Sequence, residues 1–142
     1  MKSMKELEGI FEHVSDRFFS ELLPDETVAL QFAGESTVFM RFTKARVRQI
    51  GEVEDCSVNF NYYRGNKTVR GAFPVSGDHE IDDERGACAL GKARRCAPLL
   101  PDDPFQTKPE SKERSREEFS GKLLSTADPF TESAMQYMAA RS

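Results

Sequence analysis

The chain is 142 residues long, the size of one domain, and 31% of its residues are charged, more than the roughly 25% of an ordinary soluble domain. A formal net charge of −4 gives no general attraction to nucleic acid. No apolar run nears the roughly 20 residues of a membrane span, and the N-terminus lacks the basic start and apolar core of a signal peptide.

Residues 3–23 read as an amphipathic helix. Met4, Leu7, Ile10, Phe11, Val14, Phe18 and Leu22 recur at three- and four-residue steps. Ser3 suits the N-cap, with Glu6 at the reciprocal capping-box position, and Pro24 stops the helix. Residues 27–33 then read as a strand with Val28, Leu30 and Phe32 inward. Gly34-Glu35 is expected to turn the chain back into a second strand over 36–42. Val38, Met40 and Phe42 alternate there with Thr37, Phe39 and Arg41. Residues 43–50 continue as an irregular strand or a bulged extension rich in arginine.

The next stretch alternates most regularly. Cys56, Val58, Phe60 and Tyr62 fall on one face, with Ser57, Asn59, Asn61 and Tyr63 on the other. After the turn signal Tyr63-Arg64-Gly65-Asn66-Lys67, Val69, Gly71, Phe73 and Val75 alternate with Thr68, Arg70 and Ala72. Residues 54–63 and 67–75 therefore make a hairpin. Pro74 cannot donate to a ladder, so its strand ends there or runs along an edge.

A helix is expected from about His79 to Cys96, with Ile81, Cys88, Ala89, Leu90, Ala93 and Ala97 inward. Asp82, Asp83 and Glu84 near its start and Lys92, Arg94 and Arg95 near its end complement the helix dipole, and Pro98 ends it. Residues 98–109 are extended and punctuated by proline. Residues 106–127 read as a charged or polar linker. Asp128-Pro129 pairs an N-cap with an N1 proline and opens a helix over 128–142. The apolar side of that helix implies either that the natural polypeptide continues or that the helix packs on a partner. The fold class is thus α+β: an α+β domain over 1–105 with an antiparallel, strongly twisted sheet of about four to five strands, and helices packed on one face.

No catalytic constellation stands out. His79-Glu80 begins like the HExxH helix of zinc peptidases, but the window continues Ile81-Asp82-Asp83-Glu84 and lacks the second histidine. His13 is the other histidine, and a zinc site needs about three convergent ligands, so a solvated helix start is the plainer reading. Asp82, Asp83 and Glu84 point in different directions on one turn, whereas paired acid–base chemistry needs facing groups. Cys56, Cys88 and Cys96 are odd in number and lack CxxC spacing. They fit reduced cytosolic thiols, with Cys56 in the core. Arg41, Lys44, Arg46 and Arg48 form a basic stripe that, with Phe39, Tyr62 and Tyr63, suggests stacking on single-stranded nucleic acid. The plainer reading is cross-strand charge pairing with Glu52, Glu54 and Asp55.

Several strings resemble the N-terminal domain of the TldD/PmbA ("modulator of DNA gyrase") metallopeptidase family. They are Glu35-Ser36-Thr37, the run Arg41-Phe42-Thr43-Lys44-Ala45-Arg46-Val47-Arg48-Gln49, the Arg64-Gly65-Asn66-Lys67 turn, the small-residue helix 83–96, and Pro98-Leu99-Leu100-Pro101-Asp102-Asp103-Pro104-Phe105. The likeness is strongest over 36–105 and rests chiefly on the order of elements. It implies a cytoplasmic, two-domain protein acting as a homodimer or heterodimer, whose N-terminal domain helps enclose a chamber entered by unfolded peptides. Zinc belongs to the family's C-terminal domain, on an HExxxH helix with a later cysteine. This sequence contains neither, so the resemblance implies a fragment or shortened homologue that does not cleave peptides alone. No catalytic, cofactor-binding or metal-binding residue is assigned here. Arg41, Arg46, Arg48 and Gln49 are the expected contacts to a peptide or partner, the partner being the C-terminal metallopeptidase domain or a sibling subunit. The alternative is a stand-alone module binding a protein or single-stranded nucleic acid.

Overall fold

The computed structural model describes residues 4–44, 46–110 and 136. Its elements run α1 (Met4–Ser20), β1 (Glu26–Thr43), β2 (Arg46–Arg64), β3 (Lys67–Pro74) and α2 (His79–Cys96), followed by a 3-10 turn at Ala97–Leu99. The strands form one antiparallel sheet in the order β1-β2-β3. The chain divides into two compact units, Met1–Glu35 with Asp55–Lys112, and Ser36–Glu54 with Glu113–Ser142. The expected linker beyond residue 110 lies outside the described residues. So does the expected helix over 128–142, Gln136 apart.

In the first unit, α1 buries Leu7, Val14 and Phe18, which follow one another at seven and four residues along one stripe. On the sheet the inward row is Val28 of β1, Cys56, Val58, Phe60 and Tyr62 of β2, and Phe73 of β3. The β2–β3 register pairs Val58 with Phe73, Phe60 with Gly71 and Tyr62 with Val69, so both strands present their apolar sides to one core. Phe18, Phe60 and Phe73 meet at its centre, with ring centroids 5.6 to 6.4 Å apart. Gly71 leaves room for the Phe60 ring, which would lie 2.4 Å from any Cβ added there. Gly65, with φ +59°, turns β2 into β3, and Pro74 is the last residue of β3, an edge strand where its missing N–H costs no ladder bond; Val75 N still donates to Cys56 O at 2.8 Å.

The sheet has three strands, not the four to five expected. Gly34 is not in the left-handed region, and β1 passes straight through Gly34-Glu35. A glycine suits that place for another reason. An added Cβ would sit 3.1 Å from the Phe32 ring and 3.5 Å from Leu7 and Cys56. The reversal falls instead at Lys44, whose φ is +50°. The segments expected as separate strands over 43–50 and 54–63 are likewise one strand, β2.

Helix α2 has the expected limits, and Ala89, Leu90, Ala93 and Ala97 are buried as expected, but its buried side differs at the start and at Cys88. Ile81 is 44% exposed and Cys88 is exposed, while Asp82, Gly86, Ala89, Leu90 and Ala93 are buried. The buried line runs from Asp82 through Gly86 to Leu90 in four-residue steps. The small residue at Gly86 lets the helix approach the rings of Phe18 and Phe73. Asp82 is therefore part of the packed interior and not a solvated dipole complement.

Candidate functional site

The residues expected to make contacts lie on the hairpin end formed by 36–54, in the second unit. Val38, Phe39, Met40 and Phe42 are half-buried there, and Ile50 and Val53 are exposed. The Arg41 guanidinium stands 5.6 Å from the centroid of the Phe39 ring, a cation–π distance. Its Nη1 donates to Gln49 Oε1 on the neighbouring strand at 3.5 Å. Phe39 in turn lies over Gly51, where a Cβ would come within 2.6 Å of the ring. Arg41 and Gln49 are thus brought together. Side chains alternate along a strand, so Arg46 and Arg48 share the face of β2 opposite Gln49. Among the described residues, no ion pair joins Arg41, Lys44, Arg46 or Arg48 to a carboxylate.

Three polar clusters in the first unit escaped sequence reasoning. In the first, Glu26 has a fully buried side chain whose oxygens are saturated. Oε1 accepts from Tyr62 OH and Arg94 Nε, both at 2.8 Å; Oε2 accepts from Leu23 N at 2.9 Å and Arg94 Nη2 at 2.7 Å. Arg94 Nη2 also donates to Glu21 O at 2.7 Å. The Arg94 guanidinium holds the Glu26 carboxyl down to about 2, against the opposing effect of burial. Burial, followed by the bond to Glu26, pushes the Tyr62 phenol up to about 12. With every lone pair engaged, this carboxylate clamps the α1–β1 connection, β1, β2 and α2 together and has no capacity left for proton transfer.

The second cluster holds the β3–α2 loop. Asp82 is 1% exposed; its Oδ1 accepts from Ser76 N and Ser76 Oγ, and its Oδ2 from Gly77 N at 2.8 Å. Asp78 caps α2 by accepting from Ile81 N at 3.2 Å. The third cluster unites the two histidines. Their rings stack at 3.8 Å and 9°, and His13 Nε2 meets Asp83 Oδ1 at 2.9 Å. A stack presents ring faces, whereas coordination uses in-plane nitrogen lone pairs. Among the described residues no group of three or more His, Cys, Asp or Glu side chains is placed to hold a metal ion. The sequence did hold a signal for the first two clusters. Glu26 is in phase with Val28, Leu30 and Phe32, and Asp82 and Arg94 flank Gly86 and Leu90 at four-residue steps.

On the sheet face away from the helices, Gln31, Asn59 and Asn61 border a shallow hollow of about 140 Å³. No titratable side chain lines it, so it offers neutral hydrogen bonding and no acid–base chemistry. No helix of the described residues is long and apolar enough to cross a membrane. No family model matches the chain, and no curated protein has a similar sequence.

Proposed function

We propose that this chain is a non-catalytic N-terminal domain of a TldD/PmbA-like zinc metallopeptidase. It contributes to dimerisation and to the chamber through which unfolded peptides reach a C-terminal active site. The observation that carries the reading is the setting of the string most like the family's. Arg41–Gln49 spans the end of a hairpin, and its arginines are free of ion pairs among the described residues. A peptide laid along such a hairpin gains main-chain hydrogen bonds from the strand edge, which give affinity without reading sequence. The arginines add charge selection, and the Arg41–Phe39 stack adds a flat apolar surface. The family's metal is held on an HExxxH helix. This chain has two histidines, His13 and His79, in no such motif, so its residues do not fit a zinc site and no catalytic step is assigned to it.

Mixing the 142-residue chain with a separately produced C-terminal metallopeptidase half tests the proposal. Association by gel filtration and metal-dependent peptide cleavage by the mixture are expected, with no cleavage by this chain alone. Replacing Arg41, Arg46, Arg48 and Gln49 together by alanine is expected to raise KM for peptides while leaving metal content unchanged. Failure of the halves to associate would overturn the reading.

Arginines free of ion pairs among the described residues also suit a stand-alone module for protein or single-stranded nucleic acid. Binding of an oligonucleotide that weakens steeply with salt would favour that alternative.

A further inference from the structure

Residues 97–106 form a strap that follows α2 and runs past the β2–β3 turn. Its polar groups are fastened to the protein. Lys67 Nζ donates to Leu100 O and stands 3.6 Å from Asp102 Oδ1. Asp103 N donates to Asn66 O at 2.8 Å, and Gln106 Nε2 donates to Thr68 Oγ1 at 2.7 Å. Within the strap, Leu100 N donates to Ala97 O at 3.2 Å and Phe105 N to Asp103 Oδ1 at 2.9 Å. Of its three large apolar side chains, Leu100 is partly covered and the other two are left in solvent. Leu99 is 83% exposed and Phe105 is 89% exposed, while no other large apolar side chain among the described residues exceeds 47%. A segment tied down by its polar groups, with its apolar side chains in water, is built as an anchor for something outside it.

The strap also carries charge. Asp102 and Asp103 lie between Leu99 and Phe105, and the Asp102 side chain remains 70% exposed. The matching occupant therefore offers apolar surface with a basic rim. The hairpin end over 36–54 has that character. It carries four cations (Arg41, Lys44, Arg46 and Arg48) against the two carboxylates Glu52 and Glu54 next to the exposed Ile50 and Val53.

We propose that the strap of one copy docks on the hairpin end of a second copy, with Leu99 and Phe105 against the apolar side chains and Asp102 and Asp103 against the arginines. Used reciprocally, the contact closes as a two-fold pair. This specifies the dimerisation part of the proposed function and rests on it, but not on the peptidase part.

Sedimentation velocity on the purified 142-residue chain, at low salt and at about 0.5 M salt, tests the contact. A concentration-dependent dimer that weakens in salt is expected. The Leu99→Ser/Phe105→Ser variant is expected to dissociate at least about tenfold more readily, with an unchanged melting temperature at dilutions where both proteins are monomeric, because both side chains then lie in water. The Arg46→Glu/Arg48→Glu variant is expected to weaken the dimer similarly. Each variant alone lacks both contacts of the pair. A mixture of the two retains one, formed by the intact strap of the arginine variant and the intact hairpin of the strap variant, and is expected to associate more tightly than either. A chain that stays monomeric at about 200 μM, well above the micromolar range of specific pairs, would overturn the proposal. So would a dimer indifferent to either variant, or loss on the strap side alone, which would assign the strap to another partner. None of these outcomes bears on association with a C-terminal half, so the two proposals fail separately.

Discussion

Glu26→Gln removes the charge from the buried clamp while keeping the side chain's size. In the folded protein Arg94 and the other donors hold the Glu26 carboxyl at about 2, against an ordinary value of 4.5. A difference of that size corresponds to about 3 kcal/mol of stability at neutral pH. The folded value is depressed, so the contribution is complete above about pH 4.5 and disappears as pH falls toward 2. Arg94 keeps a 30% exposed side chain and can recruit water once its partner is neutral, which trims the loss. The expected cost of Glu26→Gln at pH 7 is therefore about 2–3 kcal/mol, on the scale of breaking a buried ion pair from one side. For a chain of this length that lowers the melting temperature by roughly 6–12 °C. Urea titrations of both proteins at pH 7, 4 and 2.5 read the effect directly. The gap between them should narrow steadily below pH 4.5 and fall to about a quarter of its neutral size by pH 2.5. A gap under about 1 kcal/mol at pH 7, or one of constant size across the series, would refute the assignment of Glu26 as a charged clamp.

Asp82→Ala removes the acceptor for Gly77 N and one acceptor for Ser76, and is expected to cost about 1–3 kcal/mol and to speed amide exchange at Gly77. Gly71→Ala forces a Cβ against the Phe60 ring, which Phe18 and Phe73 hold in place, so a loss of about 1–3 kcal/mol is expected in thermal melts. Gly51→Ala meets the Phe39 ring as closely, but that ring is only half-buried and can swing aside. Its cost is expected to stay below about 1 kcal/mol, and a loss as large as that of Gly71→Ala would show that Phe39 is locked.

Local chemistry determined much of this protein directly from the sequence. The α2 limits expected from its charge order and Pro98 were met, the end of α1 lay within three residues of that expected, and Gly65 and Pro74 delimited β3. The two-residue rhythm of Cys56, Val58, Phe60 and Tyr62 identified the buried side of β2, because alternation is a property of any strand whatever it packs on. Strand number was decided elsewhere. Glycine is permitted in a turn and equally in a straight strand crowded by Phe32, Leu7 and Cys56, and the rows of neighbouring side chains select between them. Burial of charge was decided in the same way. Glu26 and Arg94 read as surface residues until partners distant in sequence surround them, and Asp82 until the β3–α2 loop folds over it, since a charge enters an interior only where hydrogen bonds wait for it. The stacking of His13 on His79, 66 residues apart, exists only because α1 and α2 share one face of the sheet. At the hairpin end, the sequence placed the arginines beside carboxylates along the chain. Among the described residues the fold gives those arginines no ion pair, because pairing needs the charged ends within about 4 Å of each other, which closeness along the chain does not supply.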